Sequence, residues 1–286
     1  MAIRNQMKTF MLLAVLTALL LWIGNLLGGY SGLIIGLVFA LLMNFCSYFF
    51  SDRLVLWMYK AKEARKSEYP AYHAIVEDLC KKAGLPKPKL YILPLTLSNA
   101  FATGRNPKHA SVAVTQGILH LLNREELKGV IAHELSHVKN RDILIMTIAA
   151  TIAGVISYIA SMARWAAIFG GFGGDSKKGS NIIGFLVMAI IAPILALMIQ
   201  LAISRSREFL ADESGAALLQ DGKPLASALM KLENEAKAKP VRGDGYSATS
   251  SLFIVNPFRA GNFVKMFSTH PPIEERVQKL KGMRFQ

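Results

Sequence analysis

The chain has 286 residues, of which 52% are hydrophobic and only 18% are charged, and its formal net charge is +14. A soluble domain ordinarily carries more charge, so these proportions disfavour a wholly soluble protein. The positive balance would suit a nucleic-acid partner, but no basic run is interleaved with aromatic residues as such a surface requires. Many of the cations flank apolar blocks instead, and we expect no nucleic-acid partner.

Two apolar blocks open the chain, at residues 10–27 and 33–50, with a glycine-rich turn at 28–32 between them. Each block approaches the roughly 20 residues that a membrane-spanning helix needs. A cleaved signal peptide is the alternative, but a second block follows at once and no small-residue cleavage site is evident. We predict a membrane hairpin over residues 1–52. Cations lie at both ends of it and none in its turn, which places both ends in the cytoplasm.

Residues 53–142 are predicted to form the first part of a cytosolic domain. A helix is expected over 71–83, followed by short strands at 89–93 and 111–115. Asn123 can cap the next helix, because Glu126 stands three residues later, as a capping box requires.

Two further uncharged blocks, residues 143–163 and 182–203, are each about twenty residues long, which favours a second membrane hairpin. The loop between them carries Arg164, Lys177 and Lys178 against Asp175, contrary to the positive-inside tendency, so buried core helices or a partly embedded hairpin remain the alternatives. Residues 204–286 are predicted to complete the cytosolic domain, with a helix at 224–236 and a polar loop at 237–250.

The capped helix contains His133-Glu134-Leu135-Ser136-His137, an H-E-x-x-H pattern. Residues four apart on a helix share one face, so the two imidazoles can meet one zinc ion. Glu134 can then reach a water molecule on the metal and act as a general base. An accidental match is the alternative, but neighbouring apolar residues indicate a buried helix, where unpartnered His and Glu side chains would be costly.

A catalytic zinc ion normally has a third protein ligand, which must come from downstream. The candidate is Glu208, and Asp212, four residues later, could hold the outer nitrogen of a metal-bound histidine. Spacing alone leaves open a helix with ordinary salt bridges at these positions.

The remaining histidines lie outside the H-E-x-x-H segment. His270 precedes Pro271-Pro272 at a predicted helix start, where a rigid imidazole could stabilise an oxyanion or simply cap the helix. His73 and His109 are expected at the surface, and His120 is expected to be structural.

At these residues the chain resembles the HtpX-type heat-shock membrane zinc metalloproteases, which are related to the type I CAAX prenyl endopeptidases. The resemblance covers nearly the whole chain, including the hairpin, Ser98–Gly104, the H-E-x-x-H helix, Arg207–Asp212 and Ser268–Pro272. It implies one zinc ion held by His133, His137 and Glu208, a water molecule activated by Glu134, an orienting role for Asp212 and a transition-state role for His270.

The resemblance also implies a fold and a biological role. The fold would be mainly α with a small β-sheet, as in a gluzincin-like membrane protease. The function would be quality control at the bacterial cytoplasmic membrane, with damaged membrane proteins as substrates and the lipid bilayer as partner. No oligomeric state is predicted.

Three other functions would each require different sequence features. A zinc-stabilised scaffold would not need Glu134, a prenyl-protein endopeptidase would need lipidated substrates, and a transporter would need charges inside the spans. For the protease, we expect residues 100–103 or 111–115 to form an edge strand that pairs with an extended substrate.

Overall fold

The computed structural model describes residues 2–149, 152, 205–239, 252–255 and 271–285. The predicted span at 182–203, most of the predicted span at 143–163, and His270 lie outside the described residues. Within the described residues the protein is mainly helical with a small mixed sheet, which confirms the predicted fold class at that level.

The first helical element, α1, runs from Ala2 to Met58. Its chain folds back on itself, because Nδ2 of Asn44 donates to Oγ1 of Thr17 at 2.8 Å. In one straight helix these residues, 27 positions apart, would be separated by about 40 Å. Gly29 has a φ of 55°, and a Cβ atom on Gly24 or Gly32 would collide with the backbone of the other. The reversal therefore lies in the predicted glycine-rich turn.

The second arm of α1 is apolar and largely uncovered. Its segment Gly29–Met58 is long and apolar enough to cross a membrane, with a mean hydropathy of 2.2. The first arm contains a shorter apolar segment, Thr9–Trp22. Large side chains such as Phe10, Ile35 and Leu41 are exposed. An apolar surface of this extent is typical of a segment that contacts lipid or another protein.

The sheet has four strands in the order β1-β2-β4-β3 among the described residues. The strands are β1 (Lys62–Glu63), β2 (Lys89–Leu93), β3 (Ala100–Gly104) and β4 (Ala110–Thr115). β2 pairs in parallel with β4, and β3 pairs antiparallel with β4. β4 therefore lies inside the sheet, and the alternative that residues 111–115 form an edge strand is wrong. β3 lies at one edge of the described sheet, as the other alternative predicted, and β1 lies at the opposite edge.

Six further helices have described bounds. They are α2 (Pro70–Ala83), α3 (Gln116–Leu121), α4 (Arg124–Lys139), α5 (Arg205–Leu219), α6 (Lys223–Ala238) and α7 (Ile273–Gly282). Residues 143–149 are also helical. The expected helix at 71–83 and strand at 89–93 are thus confirmed, because their apolar spacing and flanking glycine and prolines are local signals.

Helix α4 lies at the centre of the part of the protein that follows α1. It begins with the predicted capping box, in which Asn123 and Glu126 satisfy each other's backbone N–H groups. Its apolar residues Val130, Ile131 and Leu135 are fully buried in the main core. α5 approaches α4 very closely, since a Cβ atom on Gly215 would lie 2.9 Å from the backbone nitrogen of His133. This contact brings the third-ligand segment against the H-E-x-x-H face.

Candidate metal centre

The two histidines of the H-E-x-x-H segment face each other on one side of α4. Their Nε2 atoms are 3.2 Å apart, and each residue is only 2% exposed. The capping box fixes where α4 begins, and the apolar face of α4 is buried in the core. Both imidazoles lie inside the protein rather than facing solvent. Two ring nitrogens at this spacing can accept one cation between them.

Glu208 of α5 completes the group. Its carboxylate oxygens lie 3.8 Å from Nε2 of His133 and 3.5 Å from Nε2 of His137. All three ligand atoms fall within 4.8 Å of one another. In a tetrahedral zinc site with metal–ligand distances near 2.05 Å, neighbouring ligand atoms are about 3.3 Å apart. The three side chains predicted as ligands therefore meet at a spacing that fits a zinc ion.

Asp212, the predicted orienting residue, lies directly behind His133. Its Oδ1 is 2.9 Å from Nδ1 of His133, although the ring N–H does not point squarely at the oxygen. Arg276 of α7 holds the same carboxylate in a bidentate pair, with Nε donating to Oδ2 at 2.8 Å and an Nη atom donating to Oδ1 at 2.7 Å. The other Nη atom of Arg276 is 3.5 Å from Oε2 of Glu208.

The positive charge of Arg276 compensates the buried carboxylate of Asp212. Burial alone would raise the pKa of Asp212, but the guanidinium of Arg276 lowers it below its ordinary value. Asp212 is thus held ionised behind His133, where an anion favours an N–H on the ring nitrogen facing it.

Glu134, the predicted general base, is turned toward the edge strand. Its Oε2 accepts a hydrogen bond of 2.8 Å from the backbone N–H of Ala102 in β3. Burial raises the pKa of this carboxyl, while His133 and His137 oppose the rise. A raised pKa makes the carboxylate a better proton acceptor at neutral pH.

His137 is supported by residues that the sequence analysis did not single out. Its Nδ1 lies 3.4 Å from Oδ2 of Asp142, and Nε of Arg207 lies 3.7 Å from Oδ1 of the same carboxylate. Burial would lower the pKa of His137, but Asp142, Glu208 and Glu134 together raise it to about 9. The acidic side chains around His137 therefore favour a positive charge on this imidazole.

Comparison with known proteins identifies the family. The profile of peptidase family M48 matches residues 66–284, which is most of the chain. The chain belongs to peptidase family M48. A protease HtpX homolog of Syntrophotalea carbinolica is 52% identical over 98% of this chain and 99% of its own length. One from Pyrococcus furiosus is 53% identical, with 100% and 98% covered.

The resemblance to HtpX-type proteases is thereby confirmed, and this M48 chain is a metalloprotease. With its candidate span in α1, it is a membrane protein. Among solved structures, Ste24p of S. mikatae has the same fold, with a TM-score of 0.53 and 19% identity. That match covers 97% of this chain and 66% of the Ste24p chain.

Three supporting residues of the candidate site were missed by sequence reasoning: Arg276, Asp142 and Arg207. Arg276 stands among charged residues in α7 and is 0% exposed, which no local signal indicates. Of the other histidines, His109 is exposed as expected, whereas His120, expected to be structural, is exposed as well. His73, expected at the surface, is half-buried with its Nε2 2.7 Å from the carbonyl oxygen of Ala64.

Proposed function

We propose that the protein is a zinc-dependent endopeptidase of the cytoplasmic membrane that hydrolyses damaged or misfolded membrane proteins. One zinc ion per chain would be held by His133, His137 and Glu208. The observation that carries the proposal is the convergence of these three buried side chains within 4.8 Å. Family membership supports a metal-dependent peptidase, and two imidazoles with one carboxylate are a donor set that zinc prefers.

Bound zinc would lower the pKa of a coordinated water molecule and polarise the substrate carbonyl. The work of the protein itself falls first to Glu134. One of its carboxylate oxygens is held by Ala102, which leaves the other to accept a proton from water and pass it to the leaving amine. The hydrogen bond from β3 fixes the direction of this carboxylate.

The edge strand β3 is proposed to align the substrate. Ala102 donates its N–H to Glu134, so this side of β3 faces the reacting groups rather than β4. An extended peptide added along β3 would pass directly in front of Glu134. The N–H of Ala102 is engaged by Glu134, and the N–H of Gly104 is 3.4 Å from Oγ1 of Thr147. A substrate would therefore pair with the part of β3 nearer Ala100 and with the outward carbonyl groups of the strand.

His270 is proposed to stabilise the oxyanion that forms during peptide hydrolysis. It directly precedes Pro271-Pro272 and α7, the helix whose Arg276 contacts both Asp212 and Glu208. A residue six positions before Arg276, with its backbone restricted by two prolines, is well suited to a fixed position near the site.

The membrane arrangement is proposed as two hairpins, residues 1–52 and 143–203, with the cytosolic parts 53–142 and 204–286 joining to form the peptidase. The exposed apolar side chains of α1 support the first hairpin. The second is supported by the start of its first block, where Ile145, Met146 and Ile148 pack against Leu12 and Leu16 of α1. Cations following α1 favour a cytoplasmic catalytic site. They are Lys60, Lys62, Arg65 and Lys66.

The test is cleavage of a misfolded membrane protein by the purified protein in detergent, with and without a chelator, beside Glu134→Gln. The variant should retain one zinc ion per chain but lose about 10²- to 10⁴-fold in kcat, the usual contribution of a general base. Glu125→Gln makes the same charge change at an exposed position of α4 and should keep full activity. An active Glu134→Gln enzyme, or cleavage that resists complete metal removal, would contradict the proposal.

A further inference from the structure

The inner nitrogens of the two imidazoles meet at the metal position, but their outer nitrogens have different partners. Behind His133 stands Asp212, as the sequence predicted. Behind His137 stands Asp142, 3.4 Å from Nδ1. We propose that Asp142, held by Arg207, is a positioning residue that fixes the His137 imidazole so that its Nε2 is presented to the metal. This inference rests on the proposed zinc ligands.

The backbone after α4 is built to return Asp142 to His137. The N–H of Asp142 donates to the carbonyl oxygen of His137 at 2.9 Å, and the N–H of Arg141 donates to Val138 at 3.2 Å. These two bonds form a Schellman turn, whose left-handed position is occupied by Arg141 with a φ of 58°. A left-handed conformation costs a non-glycine residue about 1–2 kcal/mol, so the surrounding structure must hold this turn in place.

The chemistry of imidazole explains what the carboxylate would do. A neutral ring that donates from Nδ1 carries its lone pair on Nε2, which is the tautomer that binds a metal through Nε2. Nε2 of His137 faces Nε2 of His133 at 3.2 Å and Oε1 of Glu208 at 3.5 Å. An anion on the opposite side of the ring therefore selects both the tautomer and the ring orientation that the site needs.

Arg207 supplies the countercharge for the buried carboxylate of Asp142 and connects it to Glu208, the proposed third ligand. Asp142 is 2% and Arg207 5% exposed, and Nε of Arg207 lies 3.7 Å from Oδ1 of Asp142. A buried carboxylate without a countercharge would be strongly destabilising. Arg207 immediately precedes Glu208 in α5, so this ion pair also ties the helix of the third ligand to the turn behind His137.

The experiment compares zinc affinity in wild type, Asp142→Asn and Asp142→Glu, measured by competition with a chelator on metal-stripped protein. Thermal unfolding of the metal-free proteins and the visible absorption of their cobalt forms are recorded alongside. Asp142→Asn should bind zinc about 10- to 100-fold more weakly, the usual effect of losing such a partner, and should alter the cobalt spectrum. Asp142→Glu keeps the carboxylate and should recover part of the affinity. Arg141→Gly keeps the turn and should bind as wild type does.

A purely structural Asp142 gives a different result. Asp142→Asn would then lower the unfolding temperature of the metal-free protein but leave zinc affinity and the cobalt spectrum unchanged, which overturns the inference. Should Asp142→Asn fail to fold, Asp142→Glu and Arg207→Lys decide, because both keep the charges but shift the carboxylate; wild-type affinity in both overturns it. Failure of the wild-type protein to bind zinc would instead reject the proposed function.

Discussion

The histidines of the metal centre lie four residues apart on α4, yet the protein supports them in different ways. Behind His133, Asp212 is 2.9 Å away and is clamped by Arg276 at 2.7 and 2.8 Å. Behind His137 the corresponding contacts of Asp142 and Arg207 are 3.4 and 3.7 Å. The His133 support joins three separate helices, whereas Asp142 lies in a turn that continues from α4 itself. The orientation of His133 therefore depends on tertiary packing, and that of His137 depends largely on local backbone.

The largest expected difference is in stability. Arg276→Met removes the positive charge that compensates the buried carboxylates of Asp212 and Glu208. This loss should reduce the free energy of unfolding by about 3–5 kcal/mol. Arg207→Met breaks a longer contact and should cost about 1–3 kcal/mol. Urea unfolding of the metal-free proteins in detergent measures both. Equal losses of stability in Arg276→Met and Arg207→Met would contradict the proposed difference between the two supports.

Zinc affinity should also distinguish the support of His133 from that of His137. Asp212→Asn should weaken zinc binding by about 10- to 100-fold, at least as much as Asp142→Asn, because its carboxylate is nearer the imidazole. It should also lower stability, since asparagine cannot neutralise the fully buried Arg276. Chelator competition and unfolding of the same samples check both effects. A larger loss of affinity in Asp142→Asn would reverse the proposed order.

A smaller effect is expected at Glu126, which stabilises α4 away from the metal. It accepts hydrogen bonds from the Asn123 backbone, Ser227 and Lys231. Burial would raise its pKa, but these partners together lower it below the ordinary 4.5. Its stabilisation is therefore present above pH 4.5 and is lost as the pH falls through the lowered value.

Glu126→Gln should thus reduce stability by about 1–2 kcal/mol at neutral pH, with the difference from wild type shrinking in acid. Unfolding measured from neutral to acidic pH tests this. Zinc affinity should stay unchanged, which separates helix stability from imidazole support. A clear loss of zinc affinity in this variant would show that the two cannot be separated.

Short-range sequence patterns predicted the elements that contain a complete motif. The capping box at Asn123 and the H-E-x-x-H spacing are both short-range patterns, and the structure places α4 and its two imidazoles as expected. Glu208 lies 71 positions beyond His137, so spacing alone left it open, and the family resemblance was needed to favour it. The structure then brings it to the imidazoles.

Features that depend on tertiary packing were not visible in the sequence. Arg276 reads as one more cation on an amphipathic helix, and only the packing of α7 buries it against Asp212. Asp142 follows a left-handed Arg141, so the usual glycine signal of a helix-ending turn is missing. The interior position of β4 was not predicted for a similar reason. β4 pairs in parallel with β2, although β3 lies between these two strands in the sequence.

The central claim is that His133, His137 and Glu208 hold one zinc ion. X-ray absorption at the zinc K-edge of the purified, zinc-loaded protein tests it most directly. We expect a first shell of nitrogen and oxygen only, near 2.0–2.1 Å, with the outer-shell scattering of about two imidazole rings. A shell containing sulfur near 2.3 Å, or one without imidazole scattering, would contradict it.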